Sequence, residues 1–265
     1  MRLQNFKPYL LSLLVSSALI SAIPNDAQAN PQQEKFTLNT PNNTAKILHF
    51  SGYDWMVYAY TGAPGPNYWS AANAWVDSNG YLHLKISQKN GRWYCAQVGM
   101  TQRLGFGKYQ FQVIGAIDKF DPNIVLGLFN YPTADVGMDG TNEIDIEIAQ
   151  WGQAQNLRGS YTAWPVDPKV SKQSYEYPVL LNGTYTTQRF TWTSQQIYFQ
   201  SLHGHQNSNL YPYATWRYKP SNYQQHIAQQ PMPVYMNLWL NRGEAPTNGK
   251  AVEVIISSFK FTPAK

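Results

Sequence analysis

From about residue 50 to residue 263 the chain alternates apolar and polar positions in short runs, and Gly, Pro, Asn or Asp interrupts the runs. In residues 81–86 the aliphatic Leu82, Leu84 and Ile86 fall on one face. In residues 108–113 Tyr109, Phe111 and Val113 share a face, and Lys108, Gln110 and Gln112 share the other. Val234, Met236, Leu238 and Leu240 line up together, which puts Tyr235, Asn237 and Trp239 on the opposite side. Val252, Val254 and Ile256 alternate in the same way. A period of two is the signature of a half-buried strand. Helical periodicity is not evident. Many short strands with frequent turn signals predict an all-β fold, an antiparallel sandwich or barrel. A sandwich whose inner sheet is bent presents one concave face, polar and lined with aromatics, along which a polymer can lie.

One run differs from the others in chemistry. In residues 142–148, Asn-Glu-Ile-Asp-Ile-Glu-Ile, the three isoleucines Ile144, Ile146 and Ile148 point one way and Glu143, Asp145 and Glu147 the other. Neighbouring acids on such a strand are roughly 6.7 Å apart. At that spacing they repel by about 2 kcal/mol at an effective dielectric near 20. Asp is a poor strand former, and no Lys or Arg follows on the same strand. Folding gains nothing from the row, and the expected consequence is that one carboxyl is held protonated. Retaining glycoside cleavage uses that asymmetry: one carboxylate attacks the anomeric carbon and one carboxylic acid protonates the leaving oxygen, about 5–5.5 Å away. Residues 143 and 147 lie roughly 13 Å apart at Cα, and two Glu side chains leaning inward close most of that gap. Spacing alone leaves open which Glu takes which role. A solvated acidic strand and a calcium site are the plainer readings. The flanking isoleucines speak against the first, and three acids on a straight strand converge poorly on one ion.

The ends and the composition narrow the class. Arg2 and Lys7, then the small and apolar residues 9–23, then Ala27-Gln28-Ala29, form the pattern of a secretory signal peptide. Cleavage after Ala29 leaves a polar leader, residues 30–47, and one domain, residues 48–265, which is a common size for a single β sandwich. Only 13% of residues are charged and 15% are aromatic, with 19 Tyr and 9 Trp. That composition fits strands and equally a surface that stacks on sugars. The formal charge of +5 is scattered, so nucleic-acid binding is not indicated, and no second apolar run suits a bilayer. Cys95 is the only cysteine; no motif supplies it with a His partner. His203 and His205 lack a third ligand and read as a polar turn. No cofactor or metal is expected.

The Glu143-Ile144-Asp145-Ile146-Glu147 motif resembles the signature of glycoside hydrolase family 16, a β-jelly-roll family related to concanavalin A-like folds. The resemblance extends in order along the chain. Trp69-Ser70, residues 73–77 and residues 80–84 are similar to the family's first strands, and residues 106–111 to its Tyr-Gly-x-Tyr strand. Residues 123–129 resemble the strand before the catalytic one, and Met236-Asn237-Leu238-Trp239 the Met-Asn-Leu-Trp strand. The unbulged motif looks more like the 1,3-1,4-glucanase and transglycosylase branch than the laminarinase branch. The resemblance implies Glu143 as nucleophile, Asp145 as its helper and Glu147 as acid/base, with Asn237 and Trp239 on the substrate. Gln97 stands where family glucanases carry a Glu, and the accompanying Arg is missing. Trp151 follows the motif, whereas the family places a Trp before it, and Ser257 replaces the Asp expected at a structural calcium. Trp151 and Tyr161 are further candidates for sugar contact. The implied activity is a secreted or periplasmic, retaining endo-glycosidase acting as a monomer on a β-linked, glucan-type polysaccharide. A transglycosylase with the same double displacement and a non-catalytic carbohydrate-binding jelly roll are the alternatives. The intact acidic triplet argues against the last.

Overall fold

The computed structural model describes residues 46–265, so the signal-peptide expectation and most of the leader lie outside the described residues. Lys46 and Ile47, the last two residues of the expected leader, are part of the domain. Lys46 Nζ donates to the carbonyls of Ala71 and Ala74 at 2.8 and 2.7 Å, and Ile47 pairs with Met56.

Two eight-stranded antiparallel sheets form the sandwich. The first runs, in spatial order, β1 (Ile47–Phe50), β2 (Tyr53–Val57), β8 (Ala96–Leu104), β17 (Met232–Leu240), β10 (Ile124–Asn130), β11 (Ile144–Ile148), β12 (Gly159–Ala163) and β13 (Gln173–Tyr177). The second runs β16 (Pro212–Tyr218), β15 (Ile197–His203), β14 (Tyr185–Trp192), β9 (Gly107–Ile114), β18 (Val252–Pro263), β6 (Leu82–Lys89) and β5 (Ala74–Val76), with β7 (Arg92–Tyr94) on β6. A short hairpin, β3 (Thr61–Gly62) and β4 (Asn67–Tyr68), stands apart from both. The all-β fold expected from the alternation, and the jelly-roll sandwich that the family resemblance implies, are what the described residues form.

The runs with the clearest period two supply the layer between the sheets. Leu82, Leu84 and Ile86 of β6, Tyr109, Phe111 and Val113 of β9, and Val254 and Ile256 of β18 are fully buried. They meet Ile144, Ile146 and Ile148 of β11 and Val234, Met236 and Leu238 of β17, equally buried. Each such side chain contributes about 1.5–3 kcal/mol of transfer free energy. Trp192 closes one region of this core with its Nε1–H donated to the Ala228 carbonyl at 2.8 Å, so its polar atom is not lost to burial.

Strand β11 is the centre of the functional argument, and its position is fixed from both sides. It pairs with β10 (Leu128↔Ile146, Phe129↔Asp145, Gly127↔Glu147) and with β12 (Tyr161↔Ile146, Thr162↔Asp145, Ser160↔Glu147). The chain enters it through Asn142 in a left-handed conformation (φ 58°), which Asn tolerates better than most residues, with Asn142 N–H bonded to the Pro165 carbonyl at 2.9 Å. Among the described residues no helix is long and apolar enough to cross a membrane.

Ile146 sits at the middle of this arrangement. Ile146→Ala is expected to lower unfolding free energy by about 3–4 kcal/mol, because the void is walled by paired strands that cannot collapse into it. Urea denaturation of the two proteins checks this, and a loss below about 1 kcal/mol would contradict the packing described.

Candidate active site

Alternation carries Glu143, Asp145 and Glu147 to the face of the first sheet away from the core. All three line one cavity of about 90 Å³, together with Gly127 and Phe129 of β10, Asn237 and Trp239 of β17, and Pro64 from the β3–β4 hairpin. A larger cavity of about 280 Å³, bordered by Asn67, Arg92 and Trp93, has no carboxylate in its wall. The three acids belong to the smaller one. Asp145 is buried (4% exposed), whereas Glu143 and Glu147 are half-buried and keep contact with solvent.

Gly127 lies level with Glu147 on one side and Asn237 on the other. A Cβ there would stand 2.5 Å from Asn237 Oδ1, so only glycine allows Asn237 to lie across β10 toward the acids. Two acceptors in this region have no partner: Asp145 Oδ1 and Asn237 Oδ1 are both buried without a hydrogen bond. An unpaired buried acceptor costs about 1–3 kcal/mol.

Burial pushes all three carboxyls up. For Glu143 the charge of Asp145 adds to this, then a hydrogen bond to Asp145 and the charge of Glu147. Glu147 is pushed up to about 8 by burial and by the charge of Asp145. Burial raises Asp145 too, but hydrogen bonds from the Glu143 carboxyl and from Trp164 Nε1–H, the latter at 2.8 Å to Oδ2, favour its ionised form. The hydrogen bond between them raises Glu143 and lowers Asp145, so protonation is favoured more on Glu143 than on Asp145. Solvent reaching Glu143 and Glu147 softens the effect of burial, but its direction stands.

Lys172 tempers the cluster. Its charge draws all three carboxyls down, and its Nζ stands 4.3 Å over the Trp164 ring, whose N–H meets Asp145. No cation was expected near the row, because none follows on β11; Lys172 comes from the segment between β12 and β13. Trp164 also lies at the level of Glu143, donating its backbone N–H to the Glu143 carbonyl at 2.9 Å. At the Glu143 end Tyr131 donates its hydroxyl to Asp139, and the following loop is fastened by a bidentate Arg103–Asp135 pair at 2.6 and 2.9 Å.

The other expected sugar contacts divide. Asn237 and Trp239 line the cavity. Gln97 lies beside Asn237, accepting its Nδ2–H at 3.4 Å, and is 4% exposed. Trp151 adopts φ 54° just past β11 and packs edge-on against Trp239, with centroids 6.2 Å apart, so it braces the cavity wall without lining it. Tyr161 is a correction. It pairs with Ile146, shares the core face and is fully buried, stacked on Phe199 with its hydroxyl donated to Ser201 Oγ at 2.7 Å. Its neighbours Ser160 and Thr162 pair with Glu147 and Asp145 on the acidic face instead.

The two-sheet sandwich is a fold that this chain shares with solved structures of glycoside hydrolase family 16. Solved structures with this fold include a β-glucanase of Bacillus licheniformis (19% identity, covering 84% of this chain and 100% of that one, TM-score 0.58). A Bacteroides ovatus mixed-linkage glucan protein of family 16, in complex with G4G4G3G product, matches at 15% identity (78% and 94% covered, TM-score 0.61). An immunostimulatory antigen and pseudo β-1,3-glucanase of Mycobacterium tuberculosis matches at 16% (80% and 91%, TM-score 0.61). No protein-family model and no curated protein matches the chain.

The raised Glu147 has a consequence for stability. A carboxyl whose folded value exceeds its ordinary 4.5 favours the fold while protonated; that contribution is complete below about pH 4.5 and is lost as pH rises through about 8. Glu147→Gln mimics the protonated group at every pH. It is expected to match the wild type near pH 4 and to exceed it by about 1–2 kcal/mol near pH 9, allowing for the solvent at the Glu147 tip. Thermal unfolding across that range checks the sign.

Proposed function

We propose that this chain is an exported retaining glycoside hydrolase that cleaves a β-linked, glucan-type polysaccharide through a covalent glycosyl-enzyme. The observation that carries this reading is the cavity itself: three carboxyls side by side, all raised, with one unpaired buried acceptor among them, Asp145 Oδ1, and one beside them, Asn237 Oδ1. Export rests on the pattern of residues 2–29.

In the first step the Glu143 carboxylate attacks the anomeric carbon while Glu147, protonated because burial and Asp145 raise it, gives its proton to the departing glycosidic oxygen. Glu143 must be ionised for this. Its proton passes across the hydrogen bond to Asp145, and the Lys172 charge, which draws Glu143 down, favours the carboxylate left on Glu143. In the second step Glu147, now a carboxylate, removes a proton from water, and the water opens the glycosyl ester. A sugar hydroxyl in place of water gives transglycosylation by the same route. Asp145 Oδ1 and Asn237 Oδ1 are suited to accept from sugar hydroxyls, and Trp239 offers an apolar ring to a sugar face. The glucan class is favoured by the β-glucanases that share the fold.

Screening the wild type on lichenan, laminarin, agarose, carrageenan and xyloglucan, with products read by mass spectrometry, tests the proposal; retention without products on every polymer would favour a binding jelly roll. On whichever polymer is cut, Glu143→Gln is expected to lower kcat on the order of 10³-fold or more while the melting temperature barely moves. Glu147→Ala is expected to lose much less on an aryl glycoside than on the polymer, since a good leaving group needs little protonation. Proton NMR of the first product is expected to show the β anomer. An α anomer, or full turnover by Glu143→Gln, would remove the assignment.

A further inference from the structure

On the face bearing the acids, the positions that continue the cavity across β17 and β8 are closed over. Asn237, Trp239 and Gln97 are 3%, 8% and 4% exposed. What covers this side is the segment from Tyr58 to Tyr68, which carries the β3–β4 hairpin. The Tyr60 hydroxyl is hydrogen-bonded with Gln97, and Pro64 at the hairpin tip stands in the cavity wall with Trp239 and the three acids. Nearer the edge, Tyr58 and Tyr235 lie with ring centroids 6.0 Å apart and hydroxyls at 3.5 Å. They occupy the space over β8 that the absence of a side chain at Gly99 leaves, since a Cβ there would meet Tyr235 at 2.6 Å and Tyr58 at 3.0 Å.

The hairpin is tied down. The Tyr60 hydroxyl donates to the Ala63 carbonyl at 2.6 Å and Trp69 Nε1–H to the Gly62 carbonyl at 3.0 Å. Asn67 Nδ2 donates to the Pro64 carbonyl at 2.6 Å and to the Leu240 carbonyl, at the end of β17, at 2.9 Å. Asn67 is itself buried (2% exposed), so these bonds form away from competing water. The cavity that remains, about 90 Å³, is well below the roughly 300–1,000 Å³ of common ligand sites. On the opposite side Ser160 and Thr162 of β12, themselves 9% and 4% exposed, continue the acidic face, and beyond them Ser174 and Glu176 of β13 are exposed, as is Lys172.

We propose that the β3–β4 hairpin ends the groove on the β17–β8 side, so that a glycan enters from the β12–β13 side and is cut close to a chain terminus. Internal cleavage, the mode the family resemblance implies, requires the polymer to continue past Trp239 and over Gln97, where Tyr60 and Pro64 stand. The inference rests on the proposed hydrolase reading and adds the position of the cut bond.

The test follows the size of soluble products, by mass spectrometry, and the viscosity of the polymer that the wild type turns over. A terminus-directed enzyme gives one short product that dominates from the first time point, while viscosity falls slowly. A companion variant replaces residues 63–66 by two glycines to withdraw the tip; longer products and a faster viscosity drop per bond cut are expected from it. If the shortened variant fails to fold, the wild-type profile decides alone. A ladder of long oligosaccharides and early viscosity loss in the wild type overturns the capped groove while leaving the hydrolase reading intact. Absence of turnover on every polymer overturns the hydrolase reading and this inference with it.

Discussion

The burial of Ile144, Ile146 and Ile148 is the constraint on which the functional face depends. Side chains on a strand alternate, so whatever fixes three isoleucines in the core fixes three acids in a line on the other face. A slip of one residue would put Glu143, Asp145 and Glu147 into the hydrophobic layer at a cost no pairing could offset. Strands β10 and β12 hold the register from both sides. Hydrophobic burial therefore does the positioning, and the carboxylates are carried into place against their mutual repulsion.

That repulsion is moderated by parts of the chain beyond β11. Trp164 Nε1–H steadies Asp145, Lys172 lies over the Trp164 ring, and the Glu143 carboxyl is hydrogen-bonded to Asp145. The result is asymmetric. Asp145 receives two hydrogen bonds that favour its ionised form, whereas at Glu147 only the Lys172 charge opposes burial and the charge of Asp145. Three acids at nearly equal spacing thus become chemically distinct through their neighbours, which is what a reaction needing one nucleophile and one acid requires.

The sandwich shows how little of its sequence a fold of this kind shares with others of the same shape. At 15–19% identity the structural neighbours have the same layers. What the architecture demands is an apolar residue at every second position of enough strands, not particular residues. The specific demands concentrate on the acidic face, where Gly127 admits Asn237 and Gly99 admits two tyrosine rings.

Much of this was written in local order. Alternation within a single strand fixed the all-β class, the faces of β6, β9, β17 and β18, and the acidic row, because each of those facts depends only on counting by twos. The count failed where a loop intervened. Residues 149–158 separate β11 from β12, so the side to which Tyr161 points was not legible; the hydrogen-bond register placed it opposite Ile146 and therefore in the core. Lys172, the burial of Asn237, Trp239 and Gln97, and the hairpin that covers them were likewise beyond reach. Each depends on what a distant segment lays over a face. The sequence alone determined which side chains share a side of a strand, through a local steric rule. Only the tertiary structure decided what stands opposite that side, because such contacts join residues tens to more than a hundred positions apart.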